Sequence, residues 1–226
     1  IGTFHAMYHT KAGSYVHEMG IKEGGKMALL ASVGPMGLAA IDYAIHGEKR
    51  PSVLVVTGST PAKLERSKKL YPVEDAAKHG VQLHYVLTPK GSDFVDELKA
   101  LTPGGKGFDD IFLMVAQEDM VTKSEKLLNW DGCLNFFAGP SDSKFTAPIN
   151  FYNVHYNATH YVGTSGSNTQ DMKDAIVCIE NKVVDLAKIA THIMGLNDVC
   201  QSIMQLPQLP GGKKIEKGKL RGVVSN

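Results

Sequence analysis

The residues Ser32-Val33-Gly34-Pro35-Met36-Gly37 form a glycine-spaced turn between an apolar stretch and a run of helical periodicity. The chemistry such a turn serves is pyrophosphate binding. A residue without Cβ at Gly34 lets backbone approach the phosphates, and Gly37 lets the helix pack close to the strand. The helix N-terminus adds free N–H groups and the positive end of its dipole. Pro35 suits the first helical turn, where its missing N–H costs no hydrogen bond. Met36 completes the turn. The first position departs from the pattern: a tight turn wants glycine, so Ser32 must find an allowed conformation or bend the loop.

About 20 residues further on, where an acidic side chain would grip the ribose 2′-OH of NAD, the sequence reads Gly58-Ser59-Thr60. Glycine leaves room for a 2′-phosphate, Ser59 and Thr60 can donate to it, and Lys63 or Arg66 can bring positive charge from the next helix. The inference is NADP, with NAD the other possibility; the bland reading is an ordinary turn whose cations face solvent.

Other reactive residues carry less. His5 and His9 have i, i+4 spacing but no evident third ligand, so helix-surface or domain-interface packing is the better reading, and His155 with His160 is read the same way. Cys133, Cys178 and Cys200 are an odd set without a C-x-x-C pair, which points to buried thiols and a reducing, cytoplasmic setting. No metal site or catalytic residue is assigned within the chain. No tyrosine has a lysine four residues on, which disfavours the short-chain dehydrogenases. Gly24-Gly25-Lys26 and Gly104-Gly105-Lys106 precede apolar runs, whereas a P-loop follows its strand, so both are turns.

The elements that must position the turn alternate as stacked βαβ units do. Strands are expected at Met27 to Ala31, Val53 to Thr57, Leu83 to Leu87, Ile111 to Ala116, Cys133 to Phe137 and Tyr161 to Gly163. Helices are expected at Met36 to Ile45, Ala62 to Leu70, Phe94 to Leu101 and Val121 to Leu128, with an extra helical turn between Pro72 and Gly80. Ser167-Asn168-Thr169 offers an N-cap to a helix carrying Met172, Ile176 and Ile179, and helical spacing continues through Ile189, Ile193 and Met194. The basic tail from Lys213 to Arg221 reads as a terminal strand or disorder. The fold class is α/β: a Rossmann doubly wound six-stranded parallel sheet in three α/β/α layers.

Composition agrees. The 226 residues carry a formal charge of +1, which argues against a nucleic-acid partner, and 43% are apolar, enough for a full core. The longest apolar stretch, Met27 to Ile41, is interrupted by polar and breaking residues and falls short of a membrane helix. Ile1 lacks a signal peptide's basic start, and opening without Met suggests an excerpt of something longer.

The stretches Lys26 to Leu38, Ala40 to His46, Tyr15 to Gly20, Ala76 to Val81 and His84-Tyr85 resemble the nucleotide-binding domain of zinc-type medium-chain alcohol and polyol dehydrogenases, in particular the sorbose 1-phosphate reductase type. The resemblance implies that nicotinamide lies along Val115-Ala116, Ala138-Gly139 and Gly163-Thr164. It also implies a Gly-Ser-Arg-like signature at Gly58-Ser59-Thr60, with threonine in place of arginine. It further implies that a separate N-terminal domain supplies zinc and catalytic residues, so that residues 1–20 are a linking helix, 21–205 the NAD(P)-binding domain and 206–226 a tail returning toward the catalytic domain. The substrate class implied is a sugar phosphate or polyol. Family members associate through the last strand, and the aromatic run Asn150 to Tyr156 beside it points to a homodimer. Two other classes remain: a stand-alone cofactor-binding sensor or regulatory module, and a methyltransferase, which the pyrophosphate turn disfavours.

Overall fold

The apolar runs become six parallel strands in the computed structural model, which describes residues 1–205 and 223–224. The first compact unit, Ile1–Val184, runs α1 (Gly2–His5), β1 (Tyr8–Thr10), β2 (His17–Met19), β3 (Lys26–Leu30), α2 (Pro35–His46), β4 (Val53–Gly58), α3 (Pro61–Leu70), α4 (Val73–Lys78) and β5 (Gln82–Leu87). It continues with α5 (Val95–Ala100), β6 (Phe108–Leu113), α6 (Glu118–Lys126), β7 (Leu128–Phe136), α7 (Phe151–Tyr156), β8 (His160–Gly163) and α8 (Thr169–Glu180).

The strand order is β5-β4-β3-β6-β7-β8 and every pairing is parallel. Leu29 faces Val56 on one side and Phe112 on the other, so β3 is central and the order reverses between β3 and β6. Strands β4 and β6 are buried along their whole length, as strands must be when helices cover both faces. One face packs Ala28, Leu30, Val55, Ile111, Leu113 and Leu134 against Phe94 and Leu98. On α1, Phe4 packs edge-on to Tyr43 of α2 at 4.9 Å and to Phe112 of β6 at 4.8 Å.

Several expectations shift. Strand β6 ends at Leu113 rather than Ala116, which leaves Val115 and Ala116 in the loop beyond it. Strand β7 begins at Leu128, so Cys133 lies in mid-strand. Residues 1–20 are not a linking helix: a four-residue helix is followed by an antiparallel hairpin of β1 and β2. His5 and His9 consequently share no helix. Asn168 does cap α8, accepting from the Asp171 N–H in a reciprocal capping box. Of the cysteines only Cys133 is buried; Cys178 is half-buried and Cys200 exposed.

The second unit, Asp185–Asn226, does not continue the helical spacing. Leu186–Lys188 and Leu196–Asp198 are 3-10 turns, Ile193–Met194 is a short strand (β9), and Val199–Gln205 is a helix (α9). Val223–Val224 (β10) pairs in parallel with β9, while the remainder of the 206–226 tail lies outside the described residues. No helix among the described residues is long and apolar enough to cross a membrane.

A buried polar network clasps the β1–β2 hairpin to the amino end of the sheet. His9 Nδ1 lies 2.9 Å from the Asp131 carbonyl oxygen, which only accepts, so Nδ1 carries a hydrogen. Its Nε2 and Asp110 Oδ1, 2.9 Å apart, share the next proton. Asp110 also accepts from the Lys22 N–H, while both oxygens of Asp131 accept from the Thr10 N–H at 3.0 Å and Oδ1 meets His160 Nε2 at 2.8 Å. Burial opposes an imidazolium at His9, but the Asp110 carboxylate and the Asp131 carbonyl outweigh it and raise the His9 pKa. Burial likewise pushes the Asp110 carboxyl up.

Because His9 gains protons on folding, its stabilisation is complete below the ordinary imidazole range and is lost as pH rises through the raised value. Chemical denaturation across that range should show stability falling for the parent protein, with the His9-dependent slope removed in His9→Gln. His9→Leu, which strands the Asp110 carboxyl, should cost about 3–5 kcal/mol; a cost below about 1 kcal/mol would contradict the clasp.

Candidate functional site

The turn after β3 is built by backbone crowding. A Cβ on Gly37 would lie 1.6 Å from the Ser32 carbonyl oxygen, so only glycine lets α2 start this close to β3. The chain makes the approach by placing Ala31, not Ser32, in the left-handed region at φ +54. Ser32 is buried and fully bonded: its N–H donates to the Thr57 carbonyl at 2.9 Å and its Oγ to the Leu29 carbonyl at 2.7 Å. The Ala31 N–H donates to Thr57 Oγ1 at 3.0 Å. Thr57 thus fixes both residues of the turn, a role the sequence did not disclose.

Gly34 is different. Its φ of −90° and ψ of 179° are open to any residue, and a Cβ there would meet no atom of the described residues within 4 Å. Neither conformation nor packing among the described residues requires glycine at this position. It is the N-cap of α2, no side chain caps that end, Pro35 occupies the first turn, and Met36 is exposed. The outcome is a helix N-terminus with open space in front of it, the arrangement an anionic group needs.

At the end of β4, Gly58 does have an internal reason. A Cβ would lie 2.6 Å from Val33 Cγ2, so the glycine accommodates the neighbouring turn, not only a ligand. Ser59, Thr60 and Lys63 are exposed and Arg66 half-buried, and neither cation has an ion-pair partner among the described residues. Thr60 is the N-cap of α3, which also lacks a side-chain cap.

Beyond the carboxyl ends of β3 to β6 lies a cavity of about 570 Å³ bounded by Ala31, Ser59, Thr88, Phe94, Val115 and Ala116. Its floor is tied together by Lys123 of α6, whose Nζ donates to the Ser92 carbonyl and Asp119 Oδ2, both at 2.7 Å, and stands 5.4 Å over the Phe94 ring. Neither Thr88 nor Lys123 carried a sequence signal. Phe145 borders this cavity and a second one of about 400 Å³ that includes Phe136 and Gly163. The Phe137 and Ala138 N–H groups both donate to the Leu113 carbonyl, which brings Ala138-Gly139 beside the end of β6, with Gly139 open on its Cβ side. Thr164 is engaged elsewhere, its hydroxyl lying 3.2 Å from both Asn135 Oδ1 and Thr3 Oγ1.

The described residues do not fit a catalytic zinc. The one group of three metal-ligating side chains among them, His5, Asp171 and Asp174, borders neither cavity, and Asp171 is already the acceptor of the α8 capping box. Burial pushes the Cys133 thiol up to about 12, the opposite of a metal thiolate.

Comparison with known proteins decides the family. A profile described as zinc-binding dehydrogenase matches residues 35–181. The chain belongs to the zinc-binding dehydrogenase family. It is 50% identical to L-sorbose 1-phosphate reductase from Klebsiella pneumoniae, over 95% of this chain and 51% of that protein. It is 46% identical to mannitol-1-phosphate 5-dehydrogenase from Aliivibrio fischeri, again over 95% of this chain and 51% of the relative. The chain therefore spans about half the length of these relatives. A Sinorhizobium meliloti protein solved bound to NADP shares the fold, with a TM-score of 0.64 and 16% identity over 91% of this chain and 53% of that one.

The two glycines of the turn should respond oppositely to alanine. Gly37→Ala should cost more than about 3 kcal/mol in chemical denaturation, because backbone has to move, whereas Gly34→Ala should stay within about 0.5 kcal/mol. Equal effects would contradict the crowding at Ser32.

Proposed function

We propose that this chain is the nicotinamide-dinucleotide-binding part of a zinc-dependent oxidoreductase that uses NADP on a sugar phosphate or polyol. The observation that carries the reading is Gly34: a glycine without internal cause, at an uncapped helix N-terminus, in the crevice where the strand order reverses. When bound, the dinucleotide supplies a hydride donor or acceptor.

The chain's own residues bind and orient. Gly34, Pro35, Met36 and Gly37, with Ser32 shaping the turn, present α2 to the pyrophosphate, and the larger cavity receives the dinucleotide from its adenosine end at Ser59 toward its nicotinamide end at Val115-Ala116. Ser59, Thr60 and Lys63, with Arg66, hold the 2′-phosphate; their exposure and unpaired charge support NADP, and so does a fold relative solved with NADP. Val115, Ala116, Ala138, Gly139, Gly163 and Thr164 border the nicotinamide, their small side chains leaving space for a flat ring.

Zinc and the substrate-activating groups belong, in this reading, to sequence outside the chain, as the half-length match to the relatives supports. Residues 1–20 then connect to that part, and the cofactor is bound within the first compact unit, which ends at Val184. The substrate class follows the names of the two relatives. A cytoplasmic setting is supported by three free cysteines. Strand β8 pairs only with β7 among the described residues, and α7 beside it exposes Phe151, Tyr152 and Tyr156, so we place a second copy of the chain at this edge. Light scattering should give a dimer mass; a monomer would remove the dimer alone.

Calorimetric titration with NADPH and NADH in parallel tests the cofactor reading. NADPH should bind more tightly, Lys63→Met should weaken NADPH about tenfold and leave NADH unchanged, and Gly34→Asp should abolish binding of both while the protein stays folded. Tighter binding of NADH would overturn NADP, and unaltered binding in Gly34→Asp would overturn the pyrophosphate site.

A further inference from the structure

Among the described residues, cations without an ion-pair partner follow strands on both sides of the strand reversal. Lys63, Arg66 and Lys90 follow β4 and β5, on the side where the cofactor's phosphates are accounted for. Lys144 lies on the other side of the strand reversal, after β7, and is the only lysine or arginine between Phe136 and Lys173. It is exposed and has no ion-pair partner among the described residues. A dinucleotide with its nicotinamide at Ala138-Gly139 leaves this charge unused.

The turn that carries Lys144 is held in place. It leaves the sheet through Gly139, and it returns at Phe145, whose ring stacks on Phe136, the last residue of β7, at 5.7 Å and 22°. Five residues from Gly139 reach at most about 18 Å, and the Phe145 ring is anchored on Phe136, so Ser141 to Lys144 stay within that reach of the end of β7. Asp142, the acid of the turn, is exposed but engaged with the turn's own backbone: its Oδ1 accepts from the Lys144 N–H at 2.8 Å and its carbonyl from the Phe145 N–H at 3.1 Å. Ser141 and Ser143 are exposed, with no side-chain hydrogen bond among the described residues.

We propose that the Ser141–Lys144 turn holds the phosphate group of the substrate, with the Lys144 ammonium as the counter-charge and the Ser141 and Ser143 hydroxyls as donors. This rests on the cofactor reading above and deepens it: the substrate's reacting carbon lies over Ala138-Gly139, and its phosphate extends away from the cofactor's phosphates to Lys144, the one cation between Phe136 and Lys173.

The test uses the whole protein that contains this chain, loaded with NADP and titrated with mannitol 1-phosphate and with mannitol. The phosphorylated compound should bind at least about tenfold more tightly. Lys144→Met should remove most of that advantage, Lys144→Arg should restore it, and Ser141→Ala with Ser143→Ala should remove part. None of these changes should alter affinity for NADP or mannitol. A parent protein without preference for the phosphate, or a preference that survives in Lys144→Met, would overturn the subsite. Failure to bind NADP in the same titration would instead overturn the reading on which it rests.

Discussion

Helix α2 begins so close to the end of β3 that the Ser32 carbonyl occupies the position where a side chain on Gly37 would start. This contact sets the direction of α2, and with it the space before Gly34. It also requires the chain to turn sharply after Leu30, which it does by putting Ala31 at positive φ, a conformation that costs a non-glycine residue roughly 1 kcal/mol. Thr57 offsets that cost from the neighbouring strand by accepting from Ala31 and Ser32. The turn and the end of β4 are therefore one unit, and Gly58 lacks a side chain partly because Val33 of the same turn packs on it.

The opposite end of the sheet is fixed by charge. Asp109 is fully buried and meets Lys22 Nζ at 2.9 Å, the Lys26 N–H at 2.8 Å and Lys26 Nζ at 3.3 Å. Burial opposes its ionisation, but these groups outweigh it and hold the carboxyl below its ordinary range. Asp110 and Asp131 do the same work for the hairpin through His9, Thr10 and His160. Among the described residues, the buried carboxylates at the amino end of the sheet are all internally paired, whereas the carboxyl end presents the uncapped helix N-termini at Gly34 and Thr60. That asymmetry is what a scaffold that holds a polyanionic cofactor at one end requires.

Much of this was legible in the residues. The spacing of Gly34 and Gly37, the unbroken apolar runs and the helical spacings between them indicate the strands, the crossover helices and the doubly wound class, because each is a local pattern, whereas the strand order is seen only in the folded sheet. Ser32 was legible as a departure, but its consequence was not: the strain moved to Ala31, since the Ser32 hydroxyl found the Leu29 carbonyl three residues back. Contacts distant in sequence were invisible. His9 looked like the partner of His5 at helical spacing, yet its real partners, Asp110 and Asp131, lie on strands far along the chain. The spacing of Ile189, Ile193 and Met194 suggested helix, but the chain breaks into 3-10 turns and a two-residue strand. The cavity wall at Thr88, Lys123 and Phe145 had no pattern at all, because it is assembled from two loops and helix α6 that only the sheet brings together.

The central claim is that the carboxyl edge at the strand reversal, and no other surface, receives the dinucleotide. Backbone amide chemical shifts of the labelled chain, recorded as NADPH is added, test it most directly. The account predicts shifts concentrated at Ala31 to Leu38, Ser59 to Lys63, Val115-Ala116 and Ala138-Gly139, with the His9–Asp110–Asp131 network unmoved. Shifts confined to the amino end of the sheet, or no saturable shift anywhere, would contradict it.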